Sequence, residues 1–162
     1  MPPFPSASIL AYPRIGRGRE LKKALEARWA GRISDAALLD AQAQLRKTNL
    51  ARLVELGLGA SDASLADAPS LYDQVLDITL LLGAVPERFR GREGLDLYFT
   101  LARGDAGVAP QEMTKWFDTN YHYLVPEIGP QTPISLTDNT IVRQFTDCLL
   151  YTSPSPRDRQ KS

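Results

Sequence analysis

Residues 34–57, SDAALLDAQAQLRKTNLARLVELG, constrain the fold of this chain more than any other segment. Leu38, Leu39, Ala41, Leu45, Leu50, Leu53 and Leu56 give it an apolar side at helical spacing, and no proline interrupts it. Ser34 stands where an N-cap belongs, and Gly57 stands where a helix stops. The pattern predicts one long helix whose apolar side must be buried. ELKKALEARWAGR, from Glu20, repeats the period in Leu21, Ala24, Leu25 and Trp29 and ends at Gly31. SLYDQVLDITLLLG, residues 70–83, predicts a third helix, with Gly83 as its stop and Pro86 just beyond. GLDLYFTLARG, residues 94–104, predicts a shorter fourth.

Strand signals are fewer. ASILAY, residues 7–12, is short, apolar and partly β-branched, stops at Pro13, and is expected as a buried strand. MTKWF, residues 113–117, alternates enough to be a second, and ISLT, residues 134–137, is a candidate third. NTIVRQFTD begins another helix, with Asn139 or Thr140 as its cap. GLGASDASLADAPS, residues 57–70, is a small-residue connection. No internal repeat is present. Strand, loop and helix in alternation suggest an α/β fold, although helices outnumber the clear strands.

Composition excludes several classes of function. The 162 residues carry 19 basic and 19 acidic side chains, and a balanced charge argues against a general nucleic-acid or anionic-membrane binder. No run approaches the roughly 18 apolar residues of a membrane span. The opening MPPFPSASILAYP lacks the basic start and apolar core of a secretion signal. The single cysteine, Cys148, leaves no disulfide framework and no cysteine-cluster metal site. A cytoplasmic protein is expected.

The last residues, 148–162, break the pattern. CLLYTSPSPRDRQKS turns to Ser, Pro and basic residues where a helix should be burying its apolar side. A hydrophilic terminus of this kind is commonly disordered. The string YTSPSPRDRQKS also looks like translated sequencing-adapter sequence, so residues 148–162 are expected to be non-native and no function is attached to Cys148.

Two stretches could carry chemistry. In PRIGRGRELK, residues 13–22, a glycine-containing loop leads into a helix N-terminus, which presents free N–H groups and a partial positive charge. Arg19 and Lys22 near that end are disfavoured by the helix dipole unless an anion meets them, which suits carboxylates or phosphates. The plainer alternative is a solvated helix start in which Glu20 offsets the bases. The G-x-G is not a dinucleotide fingerprint, because the third glycine is missing.

The second stretch is EMTKWFDTNYHY, residues 112–123. In a strand, Lys115 would share a face with Met113 and Phe117, so it would snorkel outward or meet an anion. Aromatics in the core, with polar groups satisfying the strand end, is again the plainer alternative. His122 is the sole histidine and makes no metal site alone. Asp118 with His122 would suit acid–base work, but no nucleophile is placed beside them. The composition favours binding over catalysis.

Taken with their order and spacing, YPRIGRGRELKKALE, LYDQVLD, LLGAVPERF and EMTKWFDTNYHYLVPEIGP resemble the N-terminal region of the cobalamin-independent methionine synthase family. The resemblance spans residues 7–147, expected as one folate-side domain (residues 1–147), and the 57–70 connection departs from the family's usual glycine–acid–aromatic approach to LYD. It implies a methyl transfer from 5-methyltetrahydropteroyl-polyglutamate to homocysteine, carried out between two (β/α)₈ barrels. It also implies that zinc, homocysteine and the acid–base histidine belong to the C-terminal barrel, so that this segment holds no metal and no catalytic residue. By the same resemblance, Arg19, Glu20, Leu21, Lys22 and Lys115 are associated with the folate substrate, and Asn120 is a further candidate. Lysines neutralise a chain of carboxylates as point charges, and an arginine forks onto one of them.

A complete barrel takes about 250 residues. This chain would therefore hold a partial TIM-like barrel, the first few strand–helix units with the N-terminal helices, inactive alone and with strand edges and an apolar face exposed. Two other classes compete: a short folate- or polyglutamate-binding module without catalysis, and a helical interaction domain using residues 34–57.

Overall fold

The computed structural model describes residues 12–58 and 70–137, together with Val142, Arg143 and Thr146. The expected strand at 7–12 (apart from Tyr12), most of the 57–70 connection, most of the helix from 139 and the tail from 148 lie outside the described residues. The chain divides into two compact units, Met1–Pro69 with Thr140–Ser162, and Ser70–Asn139.

The first unit contains α1 (Glu20–Trp29) and α2 (Asp35–Glu55), which pack on each other. Ser34 caps α2 as its sequence predicts, its side chain accepting from Ala37 N–H at 3.2 Å. Beyond Glu55, Gly57 takes a left-handed φ of 92°. Its N–H then reaches the Val54 carbonyl, and the N–H of Leu58 reaches that of Leu53. This is a Schellman ending, and it comes with an apolar contact, because Leu50, Leu53 and Leu58 form one buried cluster with Tyr12 against it. The same exchange of hydrogen bonds ends α1, with Gly31 N–H on Arg28 and Arg32 N–H on Ala27.

Leu21, Leu25, Leu38, Leu45, Leu50 and Leu53 are buried. Leu39 and Leu56, expected on the same apolar side, are 45% and 60% exposed. The buried stripe of α2 is thus narrower than its leucines suggest, since one neighbouring helix covers only one face of it.

The second unit contains α3 (Gln74–Leu81), a 3₁₀ turn (Glu87–Phe89), α4 (Gly94–Arg103), β1 (Met113–Lys115) and β2 (His122–Leu124). Helix α3 starts four residues later than the pattern from Ser70 suggests. Asp73 holds an extended conformation and accepts from Leu76 N–H at 3.0 Å, so it is the cap and not part of the helix. In helix α4, Tyr98, Phe99, Thr100, Leu101 and Ala102 are all buried, five in a row, so protein surrounds its second half on nearly every side. Leu71, Leu76, Ala84, Phe89 and Leu124 are buried as well.

β1 and β2 form an antiparallel hairpin in the register Met113↔Leu124, Thr114↔Tyr123 and Lys115↔His122. It is the one sheet among the described residues. The strand expected over 113–117 stops at Lys115, because Phe117 takes a left-handed φ of 51° and ends the alternation. Residues 134–137, expected as a strand, join no sheet. Ser135 and Thr137 instead donate their N–H groups to the carbonyls of Leu82 and Leu81, which the end of α3 leaves free.

Among the described residues, Gln111 carries a buried donor atom without a partner. The Gln111 side chain is buried, and its amide nitrogen makes no hydrogen bond. An orphaned buried amide costs about 1–3 kcal/mol. Gln111→Met keeps the volume and removes the orphan, so the thermal unfolding midpoint should rise, by an amount matching about 1 kcal/mol. A lower midpoint would show that the amide is satisfied.

Candidate functional site

The first candidate stretch is shaped by backbone. Arg19 is the N-cap of α1 at φ 60° and ψ 37°, and it caps with no side-chain bond. The first-turn donors are met from the loop instead, with Leu21 N–H on the Ile15 carbonyl at 3.1 Å. Glu20 turns back on the loop, and the N–H of Gly18 donates to both of its carboxylate oxygens, at 3.1 and 3.0 Å. The turn therefore already holds a carboxylate, the chain's own.

The four residues of this stretch do not share one role. Arg19 and Lys22 are exposed, and Lys22 lies 3.7 Å from Glu26 one turn on, a solvated pair of little energetic weight. Leu21 is buried in the core of the unit. Glu20 lines an open groove of about 770 Å³ between the loop and the second half of α2, with Tyr12, Arg17, Lys47, Thr48 and Arg52.

The second stretch is the hairpin. Lys115 is exposed, has no ion-pair partner among the described residues, and sits directly across from His122. Asn120 is exposed in the connecting loop, and its carbonyl oxygen lies 3.0 Å from His122 Nδ1. That contact occupies one imidazole nitrogen, and no hydrogen bond joins His122 to Asp118. Lys115 shares its outward side with Met113, as alternation requires, while Phe117 beyond the strand is 81% exposed. Trp116 meets Phe117 and Tyr123 edge to face, with centroids 5.3 and 5.7 Å apart. The aromatics thus build an exposed cluster and not a core.

The hairpin is fastened by groups that spacing alone does not single out. The buried Asp73 carboxylate, which caps α3, also accepts from Tyr121 Oη at 2.8 Å and from Leu124 N–H at 3.2 Å. Beside it, the Tyr98 hydroxyl receives Tyr72 N–H at 3.0 Å and donates to Asp77 at 2.7 Å. Burial, and then the Asp77 charge, push the Tyr98 hydroxyl well above the usual tyrosine range, so it stays a donor. Arg88 grips both oxygens of Glu127 beyond β2, and that bond holds the Glu127 carboxyl below its usual range. The quoted LYDQVLD motif contains Asp73 and Asp77, but periodicity hides them inside a helix.

No group of three or more His, Cys, Asp and Glu side chains among the described residues could hold a metal ion. None of the described helices is long and apolar enough to cross a membrane.

Residues 6–153 match the family model described as cobalamin-independent synthase, N-terminal domain. That match runs past Asp147, through Cys148 to Ser153. A protein of Streptomyces coelicolor named 5-methyltetrahydropteroyltriglutamate–homocysteine methyltransferase is 47% identical over 146 residues, covering 88% of this chain and 18% of the relative. Proteins of the same name from Rhodococcus jostii and Mycobacterium tuberculosis are each 48% identical, over 93% and 91% of this chain and 20% and 19% of their own lengths. The chain thus spans about a fifth of the length of the curated relatives it matches. It belongs to the cobalamin-independent synthase family and corresponds to that family's N-terminal domain.

Proposed function

We propose that this chain is the opening part of a (β/α)₈ barrel in a cytoplasmic methyltransferase. The whole enzyme passes a methyl group from 5-methyltetrahydropteroyltriglutamate to homocysteine. This part contributes to holding the folate's glutamate tail and is inactive by itself. Zinc chemistry belongs to the remainder of the protein.

One observation carries the reading. Among the described residues, two non-glycine residues have positive φ, Arg19 and Phe117, one in each candidate stretch. Such conformations cost on the order of 1–3 kcal/mol and gather at functional sites. The turn at Gly18 adds support, because its N–H already binds a carboxylate at the base of exposed Arg19 and Lys22. A glutamate of the tail offers the same chemistry. On the hairpin, Lys115 offers an exposed cation and Asn120 an exposed amide.

Isothermal titration of the full chain with the triglutamate folate tests this. Lys22→Ala and Lys115→Ala should each weaken binding about tenfold, the scale of one charge-assisted hydrogen bond. The monoglutamate form should lose less in each variant. Equal affinity in wild type and both variants would end the binding reading, and methyl transfer to homocysteine by the chain alone would end the claim of inactivity.

A further inference from the structure

We infer that Asp73 and Tyr121 are positioning residues that set where the hairpin presents Lys115 and Asn120; the ligand side of this inference rests on the function proposed above. The ladder itself is short. Three residues on each side pair, and the connecting residues Trp116, Phe117 and Tyr121 are largely outside any core. A two-stranded hairpin of this size is marginal in water on its own. Its placement must come from contacts beyond the ladder.

One carboxylate supplies them at both ends of β2. Asp73 Oδ1 accepts from the hydroxyl of Tyr121, the residue just before the strand. Asp73 Oδ2 accepts from the N–H of Leu124, the last residue of the strand, while holding Leu76 N–H at the start of α3. The strand is thus pinned before its first residue and at its last onto a helix N-terminus. Lys115 is paired with His122, between those two pins. Asn120 is the neighbour of Tyr121, and Trp116 N–H closes the loop on the Tyr121 carbonyl at 2.8 Å. A shift at Tyr121 therefore reaches the whole loop. Asp73 is 3% exposed and Tyr121 is 45% exposed, so the tyrosine extends from the exposed hairpin to a carboxylate fixed inside. Neither residue touches the ligand in this account; both act through the hairpin.

The test compares Tyr121→Phe with Tyr98→Phe, each in the full chain. Tyr98 belongs to the same polar cluster, but its hydroxyl bonds Ser70, Tyr72, Asp73 and Asp77 and none of the hairpin. Amide hydrogen exchange at hairpin residues should speed up about tenfold more than in α4 in Tyr121→Phe, whereas hairpin and α4 should speed up together in Tyr98→Phe. Titration with the triglutamate folate should show about fivefold weaker binding for Tyr121→Phe and a smaller loss for Tyr98→Phe. Unchanged hairpin exchange in Tyr121→Phe overturns the inference. Equal loss of binding in both variants also overturns it, since that pattern marks general destabilisation. Where Lys115→Ala binds like wild type, the proposed ligand fails, and the exchange result alone decides whether Asp73 and Tyr121 position the hairpin.

Discussion

Gly104→Ala should lower the unfolding free energy by about 3 kcal/mol or more, the combined cost of a strained backbone and a steric clash. Gly104 ends α4 at φ 66° and ψ −176°, a region open essentially to glycine alone. A Cβ there would stand 2.7 Å from the Val108 carbonyl oxygen and 2.9 Å from Pro110 N. Both are backbone atoms, so no side-chain rotation relieves the overlap. The loop has little freedom to retreat. Asp105 N–H bonds the same Val108 oxygen at 2.9 Å, and the Asp105 carboxylate accepts from Gly107 and Val108 N–H at 2.8 and 3.0 Å. Those bonds, Gly107 first, hold the Asp105 carboxyl below its usual range. Urea denaturation measures the effect, and a loss below about 1 kcal/mol would mean that the loop can open.

Asp73→Ala should be as damaging, at about 3 kcal/mol. It removes the N-cap bond to Leu76 N–H, worth about 1 kcal/mol, and strands the N–H of Leu124, at about 1–3 kcal/mol. The Tyr121 hydroxyl, being on a half-exposed side chain, turns to water at small cost. Asp73→Asn keeps one acceptor oxygen and should recover roughly half of the loss. Matching denaturation curves for Asp73→Ala and wild type would rule out the fastening described here.

The helices were legible because their ends are written locally. Ser34 and Gly57 fix α2 through atoms within six residues of each boundary, and that is the range over which capping acts. The late start of α3 was not legible. Asp73 looks like one more polar residue in a helical pattern until Tyr98, Tyr121 and Leu124 close around it from far along the chain. The strand over 113–117 was half legible: alternation holds through Lys115, and the left-handed Phe117 then cancels it. The site residues came from the resemblance and not from spacing. Leu21 stands inside the R-E-L-K stretch with its side chain in the core, so any contact with a ligand there would be through its backbone. Glu20 is an acid among bases whose carboxylate meets the loop's own amide.

The link between Asp73 and Leu124 also sets a clock on the nascent chain. The two residues are 51 positions apart. At synthesis rates of about 5–20 residues per second, roughly 3–10 s pass between their appearances at the ribosome. The helical turns of α1 and α2, held by bonds within each helix, can form within microseconds of emerging. Asp73, by contrast, waits in water as an ordinary acid until the second strand arrives. In the order of birth, the most buried carboxylate among the described residues gains its Leu124 partner only after 51 further residues have been made.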